Sequence, residues 1–390
     1  MSRKIIRATT VSQSLGFYQG LLKQMTESYD VVILSSPGVE LHELEQSEGV
    51  RAIAVPMERH ISIFKDLQSL FKLIRVFRNE KPDVVHSITP KAGLLCMMAA
   101  WCTRVPYRIH TFTGLVFPTS HGIQKEILKF TDRLTCACAT HIIPEGEGVK
   151  KDLLNNGITR KKIDVLGYGN IKGVDLEYFS LRDEVVKEAN SIKTQLGIEK
   201  TFNFIFVGRI VKDKGINELV EAFNKLYFEK NNVRLLLVGS FEDDLDRISD
   251  RAREAIKDNP AIISVGSQRN IPSWFAASNC LVFPSYREGF PNVVLEAGAM
   301  NLPAIVTDIN GSNEIIENEY NGLIIPSHDE QLLYEAMKRV MIDDSLCQQL
   351  ASSARENIAS KYEKNFVQQC QLNFYKEMLG QKLNKYVGII

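Results

Sequence analysis

The sequence contains no long hydrophobic run. Its longest apolar stretch, residues 92–102, falls well short of the ~20 residues that span a bilayer. The first ten residues lack the apolar core of a secretory signal, so any membrane contact is expected to be peripheral. An excess of one charge is missing too: 47 Lys and Arg balance 47 Asp and Glu over 390 residues, which gives no reason to expect nucleic acid as a partner. Metal-ligand spacing is absent among the cysteines. There are seven, an odd number, at Cys96, Cys102, Cys136, Cys138, Cys280, Cys347 and Cys370, mostly within apolar segments. None forms a C-x-x-C pair, and the C-x-C of Cys136 and Cys138 has no histidine-rich companion segment. Reduced core thiols, no metal centre and a cytoplasmic location are the expectations. Neither G-x-G-x-x-G nor G-x4-G-K-[ST] occurs, which weakens readings as a dinucleotide dehydrogenase or a P-loop NTPase. No short-period repeat or low-complexity segment is present.

What the chain does have is alternation. Strand-like runs near residues 4–9, 30–35 and 83–87 are followed by helical patterns at 16–26, 40–48 and 91–103, the rhythm of a parallel sheet wrapped by helices. The rhythm continues through strands near 107–111 and 141–143, with a helix near 122–138 between them. It then pauses at residues 164–175, where Gly167, Gly169 and Gly173 suggest a hinge. A second series restarts at Phe202, with strands near 235–239, 262–266, 280–283 and 304–307. At this length two domains are the default: residues 1–170, residues 171–370, and a terminal helix over about 371–390 expected to pack on the first. The last helical pattern, over about residues 362–379, spaces Phe366, Cys370, Phe374 and Leu379 so that one face is largely apolar. A second amphipathic segment, residues 67–77, places Leu67, Leu70, Phe71, Ile74 and Phe77 at helical spacing, with Lys72, Arg75 and Arg78 between. Core packing with a solvated basic face is its expected role, with membrane docking the lesser alternative. Charge is also unevenly spread: residues 1–170 hold 22 Lys and Arg against 16 Asp and Glu, an excess of +6 that suits an anionic membrane surface or reflects ordinary surface scatter.

Two strand–loop–helix junctions carry the chemistry. In the first, the strand-like 202–207 is followed by Gly208-Arg209-Ile210-Val211-Lys212-Asp213-Lys214-Gly215 and a helix. Glycines at 208 and 215 allow close backbone approach, and Arg209 with Lys214 supplies two cations for phosphate oxygens. Each charge-assisted hydrogen bond of this kind is worth roughly 1.5–3 kcal/mol, so two such side chains plus helix amides suffice for a diphosphate without metal. In the second, strand 280–283 leads into Arg287-Glu288-Gly289-Phe290-Pro291-Asn292-Val293-Val294-Leu295-Glu296, with a helix starting at Asn292. The amides and macrodipole at that helix start favour an anion, with Glu288 and Glu296 flanking it as acceptors for sugar hydroxyls. Alone, two glutamates near a helix start are usually capping or solvated charges, and two cations in a loop are usually a solvated turn. The pairing of the two junctions shifts the balance toward a nucleotide-sugar site. The D-x-D within Asp243-Asp244-Leu245-Asp246 sits inside the second series and reads as a cluster opening a helix rather than a metal site.

G-R-x4-K-G followed some seventy residues later by E-G-F-P-N-V-V-L-E-A resembles glycosyltransferase family four, retaining enzymes of the GT-B fold. Arg108-Ile109-His110-Thr111 matches the family's histidine loop, and residues 170–175 match its interdomain segment. His86-Ser87-Ile88-Thr89-Pro90-Lys91-Ala92-Gly93 is similar to the bacterial branch that builds capsule, O-antigen and other surface polysaccharides. The first loop departs from the family's Gly-Gly pair, with Ser14-Leu15-Gly16-Phe17, and only Gly16 is carried over. The resemblance covers nearly the whole chain. It implies an α/β GT-B fold, two Rossmann-like domains facing across a cleft, the first on the acceptor side, with the terminal helix crossing back to it. It further implies transfer from a nucleotide sugar, a UDP-sugar by the branch, to a saccharide or polyprenyl-diphosphate-linked acceptor, without metal or other cofactor. Glu296 would then hold ribose hydroxyls and Glu288 the sugar hydroxyls. Arg209, Lys214 and the amides of Phe290, Pro291, Asn292, Val293 and Val294 would hold the diphosphate. Arg269 would lie near the base, and His110 would meet the transferred sugar through its ring or its backbone carbonyl, unless it is simply a packed histidine. A nucleotide-sugar epimerase or phosphorylase on the same scaffold, or a non-catalytic sugar-nucleotide-binding protein, stays open at this point.

Overall fold

The structure is a computed structural model that describes residues 2–58 and 62–380. The chain divides into two compact units, one holding residues up to Lys172 together with those from Val367 onward, the other Gly173–Phe366. The expected junctions were after residues 170 and 370.

The first unit is built on six parallel strands: β1 (Arg3–Ala8), β2 (Tyr29–Ser35), β3 (Arg51–Ala54), β4 (Val84–Ile88), β5 (Tyr107–Phe112) and β6 (His141–Pro144). Their order is β3-β2-β1-β4-β5-β6. Alternation along β1 shows why both faces are covered: Ile6 and Ala8 belong to one apolar cluster, Ile5 to another, since successive side chains point to opposite sides. Three helices, α1 (Ile63–Glu80), α2 (Pro90–Cys102) and α3 (Gly122–Cys138), cover the first face, with α2 packed between the other two. Across the sheet lie Leu21–Thr26 and the terminal helix. Residues 16–26, expected as one helix, are a 3-10 segment (Ser12–Tyr18) followed by Leu21–Thr26, because Gly20 at φ +83° interrupts the run.

The second unit repeats the plan with β7 (Phe202–Val207), β8 (Val233–Val238), β9 (Ile262–Gly266), β10 (Cys280–Phe283), β11 (Ala304–Thr307) and β12 (Gly322–Ile325), in the order β12-β11-β10-β7-β8-β9. Its strands are nearly continuous apolar runs, as burial on both faces requires. Two of its helices follow the motif loops: α4 (Ile216–Glu229) and α5 (Asn292–Ala299). The sequence reading omits β3 and β12. Both are edge strands; β3 reads Arg-Ala-Ile-Ala with no fully buried residue, and β12 opens on the turn dipeptide Asn321-Gly322.

After the second unit, helix α6 (Lys364–Met378) carries the chain back onto the first; the part of the expected terminal helix beyond residue 380 lies outside the described residues. Its buried stripe differs from the expected one. Val367, Gln368, Gln371, Leu372 and Tyr375 are buried, whereas Phe366, Cys370 and Phe374 are only partly so. Glutamines occupy core positions because each has a partner: Gln371 Nε2 donates to Ile171 O at 2.8 Å and Gln368 Nε2 to Gln19 O at 3.1 Å. The α1 expectation also needs correction. Leu73 and Phe77 are buried, but Leu67 and Phe71 are 47% and 68% exposed, so the apolar set is split between core and solvent.

Candidate active site

The order of the second sheet reverses between β7 and β10, which are paired neighbours. At such a switch point the loops leaving adjacent strands turn to opposite sides, opening a crevice at the strands' carboxyl ends. The two loops there are residues 208–215 and 284–291.

Side chains tie the loops together. Lys214 Nζ donates to Glu288 Oε1 in a short charge-assisted bond, and the two side chains are only 12% and 16% exposed. Glu288 Oε1 also accepts from Ser285 Oγ at 2.8 Å, and Ser285 is fully buried. A second ion pair runs the other way: Arg287 Nη2 donates to Asp213 Oδ2 at 3.1 Å, while the Tyr286 N–H donates to Asp213 O at 2.9 Å. Asp213 is held in turn, its N–H donating to Asp246 Oδ2 at 2.7 Å. Arg209 stands apart on the open side, 44% exposed, with a long 3.4 Å contact to Glu242. It has the freedom to turn to an anion that Lys214 lacks.

Backbone contact sets how close the loops come. Gly215 has φ +70°, and a Cβ there would lie 2.0 Å from Pro284 O; only glycine permits the approach. Gly208 has φ +152°, and a Cβ there would crowd the Phe206 ring at 3.3 Å.

Helix α5 opens directly from the second loop, and Glu296 sits one turn inside it, partly buried. Phe290 and Val294 are buried in the core, Phe290 packing on Tyr362 with ring centroids 5.4 Å apart, so they offer a ligand backbone alone. Two of the expected amide donors drop out: Pro291 has no N–H, and the Val294 N–H donates to Pro291 O at 3.1 Å. The amides of Phe290 and Val293 remain at the loop–helix junction. Arg269 is exposed in the loop after β9, the outer strand of β7-β8-β9. The acidic cluster opens a four-residue helix, Asp243–Asp246. There Asp243 is engaged by Arg253 at 2.5 Å and Asp246 by the Asp213 amide.

Two candidate residues belong to the first unit. Gly16 lies in the 3-10 segment with open space where a Cβ would be, so its conformation does not demand glycine. His110 lies within β5, not on a loop as expected, and is 1% exposed. Its Nδ1 donates to Ser87 O at 3.1 Å, which leaves Nε2 as the unprotonated nitrogen. The ring lies over Gly93, where a Cβ would be 2.3 Å from Cε1, and makes an edge contact with Phe112. Burial pushes its pKa down to about 3, so the imidazole is neutral at physiological pH.

Known proteins match this arrangement. Residues 188–357 match the family described as glycosyl transferases group 1, and residues 18–169 match the glycosyl transferase 4-like domain. The chain is 33% identical to the capsular polysaccharide biosynthesis glycosyltransferase CapM of Staphylococcus aureus, over 98% of this chain and 100% of that one. It belongs to glycosyltransferase family four. The transferase is also 30% identical, over 86% of each chain, to the UDP-Gal:alpha-D-GlcNAc-diphosphoundecaprenol alpha-1,3-galactosyltransferase of Escherichia coli. Its fold is that of HepE from Anabaena, solved in complex with UDP and glucose: TM-score 0.79 at 17% identity, over 97% of this chain and 99% of HepE. The two parallel six-stranded sheets are thus the GT-B architecture.

Motif reading passed over two residues that this glycosyltransferase uses to shape the loops. One is Ser285, a lone serine between a strand and the motif, which holds Glu288. The other is Gly311, at φ +75°, where a Cβ would lie 2.4 Å from Gly289 O and 2.7 Å from Phe290 Cα. The loop after β11 therefore rests directly on the motif backbone. The signal available was the Asn310-Gly311 turn dipeptide.

Proposed function

We propose that this glycosyltransferase moves a sugar from a UDP-sugar to a polyprenyl-diphosphate-linked saccharide in surface polysaccharide synthesis. In this reading transfer retains anomeric configuration, needs no metal, and takes place at the inner face of an anionic membrane. The observation that carries it is the Lys214–Glu288 pair at the β7/β10 switch point, an anion-binding cation and a hydroxyl acceptor fixed side by side. The names of the relatives support donor and acceptor class: the E. coli protein takes UDP-Gal and a diphosphoundecaprenol-linked sugar.

Lys214 shares its charge between Glu288 and the donor diphosphate, while Arg209 swings in from solvent. Together with the Phe290 and Val293 amides they stabilise the charge that develops as the sugar–phosphate bond breaks. Two cations and a helix start take the place that a divalent metal would have, and Asp243 and Asp246 are already engaged by Arg253 and the Asp213 amide. The acceptor hydroxyl attacks the anomeric carbon on the face from which the diphosphate leaves, and its proton passes to a phosphate oxygen of departing UDP. Glu288, held as an ionised acceptor by Lys214 and Ser285, binds sugar hydroxyls and is not the nucleophile. Glu296 takes the ribose hydroxyls, and Arg269 is placed toward the base. His110 meets the transferred sugar through its ring or its backbone carbonyl.

The test is protection against thermal unfolding by UDP, GDP, ADP and a panel of nucleotide sugars, with and without EDTA. A ligand at a hundred times its Kd stabilises the fold by about 2.7 kcal/mol. UDP-selective protection that survives EDTA and disappears in Lys214→Ala is the expected result. Absence of any nucleotide shift would sink the donor-site assignment, and protection abolished by EDTA would overturn metal independence.

A further inference from the structure

The loop that carries Glu288 is fastened at more points than the Lys214–Glu288 pair. Four successive residues, Ser285, Tyr286, Arg287 and Glu288, each reach toward the segment after β7. Ser285 Oγ donates to Asp213 O at 3.3 Å, Arg287 pairs with Asp213, and Glu288 pairs with Lys214. Tyr286 reaches furthest. Its N–H donates to Asp213 O, and its Oη donates to Glu218 Oε2, in the first turn of α4, through a short hydrogen bond. Burial, and after it the bond to Glu218, pushes the phenol's pKa above its ordinary value. The proton therefore stays on Oη, and Glu218 is the acceptor.

A third loop closes over this pair. After β12, His328 lays its ring against that of Tyr286, with centroids 3.7 Å apart and planes 31° from parallel, and its Nδ1 stands 4.0 Å from Glu218 Oε1. The His328 side chain is 60% exposed, yet its backbone is held at φ +62°. That conformation is uncommon for a residue with a side chain and persists where the surroundings impose it. The other tie between the motif loops is incomplete. A guanidinium and a carboxylate can join through two parallel bonds, but Arg287 gives Asp213 only the one from Nη2, and Arg287 Nε and Asp213 Oδ1 are each buried without a hydrogen bond. This ion pair leaves the register of the two loops open by the slide that would close its second bond. Glu288, the next residue along, would move with such a slide, and the anchoring of Tyr286 on α4 opposes it.

We propose that Tyr286, Glu218 and His328 form a positioning clamp that sets where Glu288 meets the donor sugar, and so governs recognition of the sugar rather than of the nucleotide. The three residues act through the loop and not on the donor itself. The inference rests on the assignment of Glu288 to the sugar hydroxyls in the reading above, and it adds three residues, outside both motifs, that decide how well that contact is made.

The probes are UDP, UDP-galactose, UDP-glucose and UDP-N-acetylgalactosamine, each titrated by calorimetry into the full chain. The quantity read is the affinity of the sugar nucleotide that wild type binds most tightly, divided by the affinity for UDP. Tyr286→Phe keeps the ring and loses the bond to Glu218; it should lower this ratio by about tenfold while UDP affinity stays within about twofold of wild type. Glu218→Ala should do the same, and serves if Tyr286→Phe does not fold. The two substitutions together should cost no more than either alone, because they remove one bond. Glu218→Gln keeps an acceptor for the phenol and should restore most of the ratio. His328→Gly should lower the ratio while holding the wild-type melt, since glycine takes φ +62° without strain. An unchanged ratio in folded Tyr286→Phe or Glu218→Ala would overturn the clamp. Parallel loss of UDP and sugar-nucleotide affinity, or additive losses in the double variant, would do so too, by marking a general loosening of the loop. So would a wild type that binds UDP but none of the three sugar nucleotides. Each of these failures leaves wild-type UDP binding intact, whereas a wild type that does not bind UDP would sink the donor site itself and the clamp with it.

Discussion

Lys214 and Glu288 are best understood as one unit, since each is the other's counterion. In the proposed reading, replacing Lys214 by Ala removes a diphosphate contact, and it leaves a largely buried carboxylate that keeps its hydrogen bond from Ser285 Oγ. Charge-assisted bonds are worth roughly 1.5–3 kcal/mol each, so Lys214→Ala should lower kcat/KM by on the order of a hundredfold or more, measured by UDP release with a competent acceptor; an unchanged rate would remove Lys214 from the phosphate site. Ser285→Ala removes one positioning bond and should cost about tenfold or less, expressed mainly in KM for the donor sugar. His110 makes a different kind of prediction. Its folded-state pKa of about 3 lies below the ordinary 6.5, so the unfolded chain binds more protons between those values, and stability is present above pH 6.5 and lost as pH falls toward 3. His86 behaves alike, held well below its ordinary value by burial and then by the Arg7 cation. Asp132 opposes them, because burial pushes its pKa up to about 7. The diagnostic comparison is therefore wild type against His110→Asn: between pH 6.5 and 5.5 the variant should lose about 1 kcal/mol less, read from denaturant melts. Parallel pH profiles would show that His110 is not buried as a neutral ring.

Elements meet at glycines here, and the contact is between backbones. Gly311→Ala would place a Cβ against Gly289 O and Phe290 Cα at positive φ, where neither neighbour is a flexible side chain that can move aside. A loss of roughly 1–3 kcal/mol in stability is expected, with weaker UDP protection because the motif loop must shift; a melt unchanged from wild type would contradict the contact. This junction also shows where sequence reading succeeds and where it stops. The long central strands announce themselves as apolar runs, and the two basic and acidic loops stand out because each lies between a strand and a helix. The edge strands β3 and β12 do not: β3 carries no continuous apolar run, and β12 is masked by the Asn321-Gly322 turn dipeptide at its start. Ser285 and Gly311 escaped because their role is a contact with residues remote in sequence, and no local pattern encodes a remote partner. The terminal helix was placed but its buried face was misjudged, because Gln368 and Gln371 read as polar until their backbone partners are known. On α1 the error ran the other way, and Phe71, apolar and at helical spacing, turned out to face solvent.

At the scale of the whole molecule, each unit has its own sheet and its own apolar clusters, while the chain passes from the first to the second at Lys172 and returns at Val367. The returning helix is fastened by an unusual device. Arg7, fully buried on β1, has no carboxylate partner among the hydrogen bonds and ion pairs described; its Nη1 donates to Tyr375 Oη at 2.7 Å, and its guanidinium stacks 4.2 Å over the Tyr18 ring. His86 Nδ1 accepts from Tyr375 Oη at 2.5 Å while Nε2–H donates to Thr111 Oγ1 at 2.7 Å. Tyr375→Phe deletes the one hydroxyl that serves both the cation and the imidazole, and a buried charged donor deprived of a partner costs about 1–3 kcal/mol or more. That cost falls on the first unit, where α6, β1 and β4 all lie. In the proposed reading UDP binds the second, where both motif loops lie, and would stabilise it by mass action. Calorimetry should therefore resolve two transitions, one lowered by Tyr375→Phe and indifferent to UDP, the other raised by UDP and indifferent to the substitution. If a single transition answered to both changes, the two units would be unfolding as one cooperative body, and the helix would be fastening the whole molecule rather than its first half.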